Sequence, residues 1–437
     1  MSLKIKGKPQ PWVTLVSVLA IGIIIGLSVR SIGYFWVMLV PNIFLLVLTI
    51  FLLIAYFERP ERSARQPAHY PSLSVIIPSY NSKSTIFRTI DTIRASDYPG
   101  EKEIIVVDDG SSDGSRELLA KTEGIRVILQ EKNGGKAKAL NTAIPHTTGE
   151  FVACVDSDSY PEPNVFRHMA DTLMHDDRNG AVTCFIRVEK PRSLLEKLQD
   201  MEYLTGFGFV QMATRSMNII FVTPGPCTLF RKKTLVEIGG FDEENITEDL
   251  EIAWRLRKYD YKIEYTPDAV VYTDVPNDLK SLFYQRLRWY RGKIFNLRKH
   301  TDMMFNPKYG MFSMFMLPIS FSGELAGVVL SFSFLYLFSS QLLWSWNYIS
   351  SNMVLGASLL SSASMLVVGM SALAMGFILV SPWLLVIYLS HEIGGKPIRL
   401  ADLPVIGIFL FLYGAMISSF YCISVLHEVN RSDYRWK

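Results

Sequence analysis

Two neighbouring stretches of the chain decide the fold: LSVIIPSYN at 73–81 and EIIVVDDGSSDGSRELLA at 103–120. Each is a short, continuous apolar run followed by a turn rich in Ser, Asn, Asp or Gly, and then by a helix-forming segment. RVILQ (126–130) and FVACVDSDSYPEPN (151–164) supply a third and a fourth strand. Strands that are apolar throughout are typical of a parallel sheet covered on both faces. The sequence therefore predicts a Rossmann-like α/β domain with a mostly parallel sheet, whose ligands bind beyond the carboxyl ends of the strands.

The composition predicts that other parts of the chain lie in a membrane. Of its 437 residues, 49% are hydrophobic and 19% are charged, and the formal net charge is +3. A soluble globular domain has about 25% charged residues, so a purely soluble enzyme is disfavoured. The apolar excess lies in blocks on both sides of the α/β region: 12–29, 32–57, 312–338, 353–390 and 403–426. Blocks of about 20 residues are long enough to cross a bilayer as helices.

Three parts follow from this pattern: two transmembrane helices in 1–60, a soluble domain in 61–300 that ends in interfacial helices, and three or four transmembrane helices in 301–437. The block 353–390 is about twice as long as one span, so five and six spans both remain open. Lysines precede the first span, and basic residues crowd 286–299. Because positive charge favours the cytoplasmic side, we predict an integral protein of the cell membrane with its soluble domain in the cytoplasm.

Two pairs of aspartates follow predicted strands. Asp108 and Asp109 can accept hydrogen bonds from a nucleobase or a ribose, although DDGSSDGS is also a favourable strand-to-helix turn. Asp156 and Asp158 are separated by one residue and can converge on a hard divalent cation, with a diphosphate completing the coordination. Two carboxylates would repel a bare diphosphate, so the cation and the nucleotide are implied together.

Three later segments carry further candidates. Lys136, in NGGKAKALN, can meet a phosphate or simply begin a solvated helix, and no GxxxxGK[ST] motif is present. Asp249 can take a proton from an acceptor hydroxyl, while Thr247 is a plausible helix N-cap. Arg288 and Trp289 can stabilise a leaving diphosphate and stack on a sugar ring, but a helix on a membrane surface carries the same residue types.

The cysteines do not indicate a metal site. Cys154, Cys184, Cys227 and Cys422 have no CxxC spacing and no histidine nearby in the sequence. A reduced cytoplasmic domain accounts for them better than a zinc site or a disulfide framework.

Seven motifs occur in a fixed order: PSYN (78–81), VVDDGSSD (106–113), GGKAKALN (134–141), VDSD (155–158), GPCTLFR (225–231), TED (247–249) and QRLRW (285–289). Together they resemble the membrane-bound family 2 glycosyltransferases of the GT-A fold. Within that family they are most similar to the processive synthases of hyaluronan, chitin, poly-N-acetylglucosamine and cellulose. The resemblance covers about residues 70–300 and implies a UDP-sugar donor, a carbohydrate or lipid acceptor, the lipid bilayer as surroundings, and Mg²⁺ or Mn²⁺; it implies no nucleic acid.

The resemblance also implies roles for individual residues. Asp158 is the expected metal ligand with Asp156 beside it, Asp249 the general base, and Arg288 the group that contacts the diphosphate. The remaining implied positions bind the substrates, from the uracil and ribose to the acceptor sugar: Pro78, Tyr80, Asp108, Asp109, Lys136, Asp156, Glu248, Gln285 and Trp289.

The expected function is an inverting, processive glycosyltransferase that makes and exports a β-linked polysaccharide. The GPC segment at 225–227 is similar to the acceptor-side loop of hyaluronan and chitin-oligosaccharide synthases, which favours UDP-N-acetylglucosamine. One alternative is transfer of a single sugar to a membrane lipid. A second is a transporter or binding protein without catalysis, which the candidate residues Asp156, Asp158, Asp249 and Arg288 disfavour.

Overall fold

The computed structural model describes residues 22–23, 25, 34–59, 69–354 and 370–429. It divides into two compact units: Leu52–Ile319 with Leu389–Val405, and Met1–Phe51 with Ser320–Tyr388 and Ile406–Lys437. The predicted first span at 12–29 lies almost wholly outside the described residues, as does part of the predicted block 353–390.

The first unit is built on one eight-stranded sheet. Its strands are β1 (Leu73–Ser79), β2 (Lys102–Asp108), β3 (Arg126–Leu129), β4 (Phe151–Cys154), β5 (Ser159–Pro161), β6 (Asn179–Val188), β7 (Thr228–Arg231) and β8 (Lys262–Thr273). Their order across the sheet is β3-β2-β1-β4-β7-β6-β8-β5. The pairs β1–β2, β1–β4, β2–β3 and β6–β8 are parallel. The short strand β7 runs antiparallel to both β4 and β6, and β5 runs antiparallel to β8, so the sheet is mixed in its second half.

Helices cover both faces of this sheet. Those of the first unit are α2 (Ile86–Arg94), α3 (Ser115–Leu119), α4 (Lys136–Ala143), α5 (Val165–Leu173), α6 (Leu194–Tyr203), α7 (Gln211–Thr214), α8 (Lys232–Glu237), α9 (Glu248–Lys258) and α10 (Leu279–Lys299). Successive residues of β1 belong to the hydrophobic cores on opposite faces of the sheet. Ile76 lies in the core that includes residues of α4 and α9, whereas Val75 and Ile77 lie in the core that includes residues of α2 and α5. This division explains why the strands are apolar throughout, and it confirms the predicted α/β class.

The remaining helices are strongly apolar. They are α1 (Tyr34–Phe57), α11 (Leu317–Val354), α12 (Met370–Ile393), α13 (Leu403–Ile408) and α14 (Gly414–Val429). Among the described residues, three helical stretches are long and apolar enough to cross a membrane: Trp36–Phe57, Phe312–Ser351 and Leu400–Glu428. They coincide with the predicted blocks 32–57, 312–338 and 403–426.

One segment of the predicted C-terminal membrane part packs within the α/β unit. In Leu389–Val405, the carbonyl oxygen of Gly394 accepts a hydrogen bond from Arg187 Nη1 at 2.8 Å. Lys396 Nζ lies 2.6 Å from Asp200 Oδ2. These two polar contacts attach the segment to β6 and α6.

Candidate active site

Short polar side chains join the loops that follow β1, β2 and β4. The backbone N–H of Asn81 donates to Ser111 Oγ at 2.9 Å, and Asn81 Oδ1 accepts from the N–H of Ser112 at 2.8 Å. The Ser82 and Ser157 hydroxyls lie 2.8 Å apart. Parallel strands end at the same edge of a sheet, which is why motifs far apart in the sequence meet here. These hydrogen bonds hold PSYN, DDGSSD and VDSD together as one surface.

Asp108 and Asp109 are both buried and bind neighbouring loops. Asp109 accepts hydrogen bonds from the N–H groups of Gly134 and Gly135, each at 2.8 Å. Burial raises the pKa of the Asp109 carboxyl, and these two N–H donors offset only part of the rise. Asp108 pairs with Arg116 at 3.0 Å. In this structure Asp109 fixes the GGKAKALN loop and Asp108 holds Arg116, and the contact of either carboxylate with a base or a ribose stays a prediction.

Lys136 stands at the centre of a charged cluster. Its ammonium group pairs with the carboxylate of Asp156 and lies 3.2 Å from Glu248 Oε1. Burial alone would lower the pKa of Lys136, but the charges of Asp156, Glu248 and Asp249 outweigh it and raise that pKa above its ordinary value. Lys136 therefore stays protonated and bound to carboxylates. The alternative prediction, that Lys136 only begins a solvated helix, does not describe this arrangement.

The GPC segment lies directly against this ion pair. A Cβ atom at Gly225 would stand 2.5 Å from both Asp156 Oδ2 and Lys136 Nζ, which is closer than atoms can pack. Glycine is needed here because the loop approaches the charged side chains so closely. The cleft is lined by Pro78, Lys136, Asp156, Gly225, Glu248 and Asp249. Tyr80 is 50% exposed.

Two further carboxyl groups of this region have strongly raised pKa values. Burial and the nearby charge of Asp156 raise the pKa of Asp158 to about 7. Burial and the charge of Glu248 raise the pKa of Asp249 to about 6, while Lys136 and Arg288 act in the opposite direction. Asp249 is further held by its backbone, because its carbonyl oxygen accepts from Thr223 Oγ1 at 2.7 Å. A carboxyl group with a pKa near neutrality in a cleft is typical of a general base.

Thr247 is the N-cap residue of α9, as the sequence predicts. Its side chain accepts no capping hydrogen bond from that helix. Its hydroxyl accepts a hydrogen bond from Asn296 Nδ2 of α10 at 3.1 Å.

The QRLRW motif lies on α10. Arg286 forms two hydrogen bonds with Glu202, at 2.9 and 2.8 Å, and its guanidinium group stacks over the Trp289 ring at 4.1 Å from the ring centre. Gln285 Oε1 is buried and accepts no hydrogen bond from the residues that the structure describes. Sequence reasoning gave Arg286 no individual role, because it stands at an unassigned position of the motif; the structure places it over the ring of Trp289.

The donor atoms at Asp156 and Asp158 suit a hard divalent cation. Both supply carboxylate oxygens, and a cation nearby would favour the ionised form of Asp158, whose pKa is otherwise about 7. Across the described ranges, no cluster of three or more His, Cys, Asp or Glu side chains forms a complete metal cage. Two carboxylates with a diphosphate as partner are a common arrangement for Mg²⁺, so the residues fit a shared metal and nucleotide site.

The sheet, with its carboxylates gathered beyond the ends of parallel strands, defines a GT-A-like nucleotide-binding domain. Residues 74–239 match the family Glycosyl transferase family 2, and this part of the chain is a family 2 glycosyltransferase domain. The fold is also similar to that of a mannosyltransferase from Pyrobaculum calidifontis, solved with GDP-Man and Mn²⁺. The TM-score is 0.55 at 21% identity, over 84% of this chain and 97% of that one.

Two curated relatives are poly-beta-1,6-N-acetyl-D-glucosamine synthases. The protein from Staphylococcus epidermidis is 34% identical over 223 residues, which is 50% of this chain and 54% of the relative. The protein from Staphylococcus aureus (strain COL) is 35% identical over 224 residues, with the same two shares. The matched region thus spans about half the length of these relatives.

Proposed function

We propose that the chain is an inverting glycosyltransferase that extends a β-linked polysaccharide processively from a UDP-sugar, with UDP-N-acetylglucosamine as the favoured donor. The observation that carries this proposal is the position of Asp249. Its carboxyl group has a pKa of about 6 and lines the same cleft as Lys136 and Asp156. The names of the staphylococcal relatives support N-acetylglucosamine as the sugar and a polysaccharide as the product.

On the donor side, Pro78, Tyr80, Asp108 and Asp109 bind the uracil and the ribose. Lys136 binds the diphosphate, for which it exchanges its present carboxylate partners. Asp156 and Asp158 would hold Mg²⁺ or Mn²⁺, and the bound cation would supply positive charge against the diphosphate of the leaving UDP. The pairing of Lys136 with Asp156 supports this assignment, because it shows that the two groups reach the same point in the cleft.

On the acceptor side, Asp249 accepts the proton of the attacking hydroxyl group. The acceptor oxygen then forms a bond to C1 of the sugar while the bond from C1 to the diphosphate oxygen breaks, and its electron pair leaves with UDP. Attack from the face opposite UDP inverts the configuration at C1. Arg288 stabilises the negative charge that develops on the diphosphate, and Glu248, Gln285 and Trp289 contact the substrates. The buried, unpartnered Gln285 Oε1 supports a polar ligand at that position.

The proposed organisation follows the sequence. Residues 1–60 and 301–437 form the membrane part, and residues 61–300 form a catalytic domain in the cytoplasm, with the polymer exported across the cell membrane. The three long apolar helices among the described residues support the membrane part. Their apolar stretches stand before and after the sheet in the chain, as an anchored catalytic domain requires.

The central experiment is Asp249→Asn in purified protein, measured as UDP release from a panel of UDP-sugars with mass analysis of the product. We expect a loss of about 10²- to 10⁴-fold with UDP-N-acetylglucosamine, since a positioned general base contributes that much. Asp177→Asn, at a fully exposed site, is the matched control. Undiminished activity in Asp249→Asn would show that Asp249 is not the base. A product consisting of a lipid with a single sugar would show that the enzyme is a lipid glycosyltransferase and not a polymerase.

A further inference from the structure

A buried polar network joins the two helices that carry the proposed catalytic residues. Asp249 lies in the first turn of α9, and Arg288 lies in α10. Trp289, Gly292 and Asn296 are spaced by three and four residues along α10, so they share one face of that helix.

Asn296 is the centre of the network and is fully buried. Its Nδ2 donates to Thr247 Oγ1 at 3.1 Å and to the carbonyl oxygen of Gly292 at 3.0 Å. Its Oδ1 accepts from Asn245 Nδ2 at 2.8 Å. Asn245 Oδ1 in turn accepts from the N–H of Thr247 at 3.0 Å. The segment just before Asp249 is therefore hydrogen-bonded to α10 through side chains that water cannot reach.

Gly292 allows the two helices to come this close. A Cβ atom at Gly292 would stand 2.3 Å from both Cγ2 and Oγ1 of Thr247 and 2.8 Å from its Cβ. Glycine in the interior of a helix lowers stability by about 1 kcal/mol relative to alanine. Its backbone is not in the left-handed region, so the close approach of Thr247 is the physical reason for glycine at this position.

We propose that Gly292, Asn296 and Asn245 are positioning residues that fix the Asp249 carboxylate relative to Arg288. The proposal rests on the proposed role of Asp249 as the base. Thr247 is two residues before Asp249, and Gly292 is one helical turn after Arg288, so a shift of α10 at Gly292 passes directly to the reacting groups. A displacement of about 1 Å in such a site costs about 10²-fold in rate.

The hydrogen bonds of this network do not include the donor-side loops, and the ion pair of Lys136 with Glu248 links those loops to the start of α9. Those loops are joined by Asn81, Ser82 and Asp109 at the far ends of β1, β2 and β4. A change confined to the contact between α9 and α10 leaves these loop-to-loop hydrogen bonds in place, so we expect it to alter turnover more than nucleotide binding. A fall in turnover without a comparable loss of nucleotide binding distinguishes a positioning role from a general loss of the fold.

The test is Gly292→Ala, with Gly206→Ala as the matched control, because a Cβ at Gly206 meets nothing within 4 Å. We expect kcat for UDP release to fall by about 10²-fold in Gly292→Ala, while KM for the donor and UDP affinity by calorimetry stay within about threefold of wild type. Gly206→Ala should match wild type. Unchanged kcat in Gly292→Ala, or a parallel loss of UDP binding, would overturn the proposal.

Two further variants test the positioning role if Gly292→Ala does not fold. Asn296→Ala removes three hydrogen bonds without a clash, and we expect kcat to fall about 10-fold at constant KM. Adding Thr247→Ala to Gly292→Ala removes the two atoms at 2.3 Å and should restore part of the lost kcat. No loss in Asn296→Ala would sink the positioning role. Full activity in Asp249→Asn, by contrast, would show that the proposed base itself is wrong.

Discussion

Replacing Lys136 with methionine tests the electrostatic account of the cleft. Methionine keeps most of the side-chain length but removes the positive charge that faces Asp156, Glu248 and Asp249. Three carboxylates then lie together without their common counterion. Because the charge of Lys136 lowers the pKa of Asp249, that pKa must rise above its present value of about 6.

The size of the rise follows from the geometry. Two unit charges separated by the 3.2 Å between Lys136 Nζ and Glu248 Oε1 interact by about 5 kcal/mol at an effective dielectric constant of about 20. The effect of Lys136 on Asp249 is smaller than this value, because its charge ranks behind burial and the charge of Glu248. A nearby opposite charge lowers the pKa of a carboxyl group by about one to three units. We therefore expect the pKa of Asp249 to rise by about one unit, from about 6 to about 7.

The assay is kcat/KM for UDP release as a function of pH, since this ratio reports ionisations of the free enzyme. Asp249 acts as a base only when ionised, and saturating divalent metal keeps Asp158 ionised, so wild-type activity at saturating metal should fall below the Asp249 pKa of about 6. In Lys136→Met this acid limb should move upward by about one pH unit, whatever the maximal rate. Lys138→Met, on an exposed position of the same helix, is the control. An unmoved limb in Lys136→Met, or an equal shift in both variants, would refute the reasoning.

Two other substitutions probe the surroundings of the cleft. Glu251 is buried and lies 2.6 Å from Arg255, 3.2 Å from Lys299 and 3.3 Å from His300. Glu251→Gln breaks this cluster, and we expect the free energy of unfolding to fall by about 3 kcal/mol, measured as a lower thermal midpoint. Burial would raise the pKa of Glu251, but these partners lower it to about 2. The stabilisation that ionised Glu251 contributes is therefore present above about pH 4.5 and is lost as pH falls toward 2. The difference in thermal midpoint between wild type and Glu251→Gln should shrink over that window, and a constant difference would contradict an electrostatic origin. Gly225→Ala should keep the fold but abolish most UDP release, because its Cβ displaces the ion pair of Lys136 and Asp156; activity equal to that of Gly206→Ala would contradict the close contact.

The sequence predicts the first half of the sheet well, because four continuous apolar runs each end in a polar turn. It also predicts the cleft carboxylates Asp156 and Asp249 as candidates. Their proximity depends on β7, which runs antiparallel between β4 and β6 and brings the GPC segment to the cleft. A four-residue strand of ordinary composition carries no signal of its direction.

Other contacts cannot be predicted from sequence patterns, because they join residues that meet only in the folded chain. Asn296 reads as an ordinary polar residue of an amphipathic helix, and only the folded chain shows that it is fully buried against Thr247. Likewise, the position of Thr247 at the N-cap is predictable, but the binding of its hydroxyl to Asn296 is not. Arg286 and Arg288 stand two residues apart on α10, yet Arg286 pairs with Glu202, whereas the charge of Arg288 acts on Asp249.

The serine and asparagine links between the loops after β1, β2 and β4 have a consequence for the design of variants. These hydrogen bonds involve no atom of α10, which is attached to the segment before α9 through Asn245 and Asn296. Substitutions along α10 can therefore be made while the loop links stay as they are, so that the acceptor side and the donor side of the proposed site can be varied one at a time.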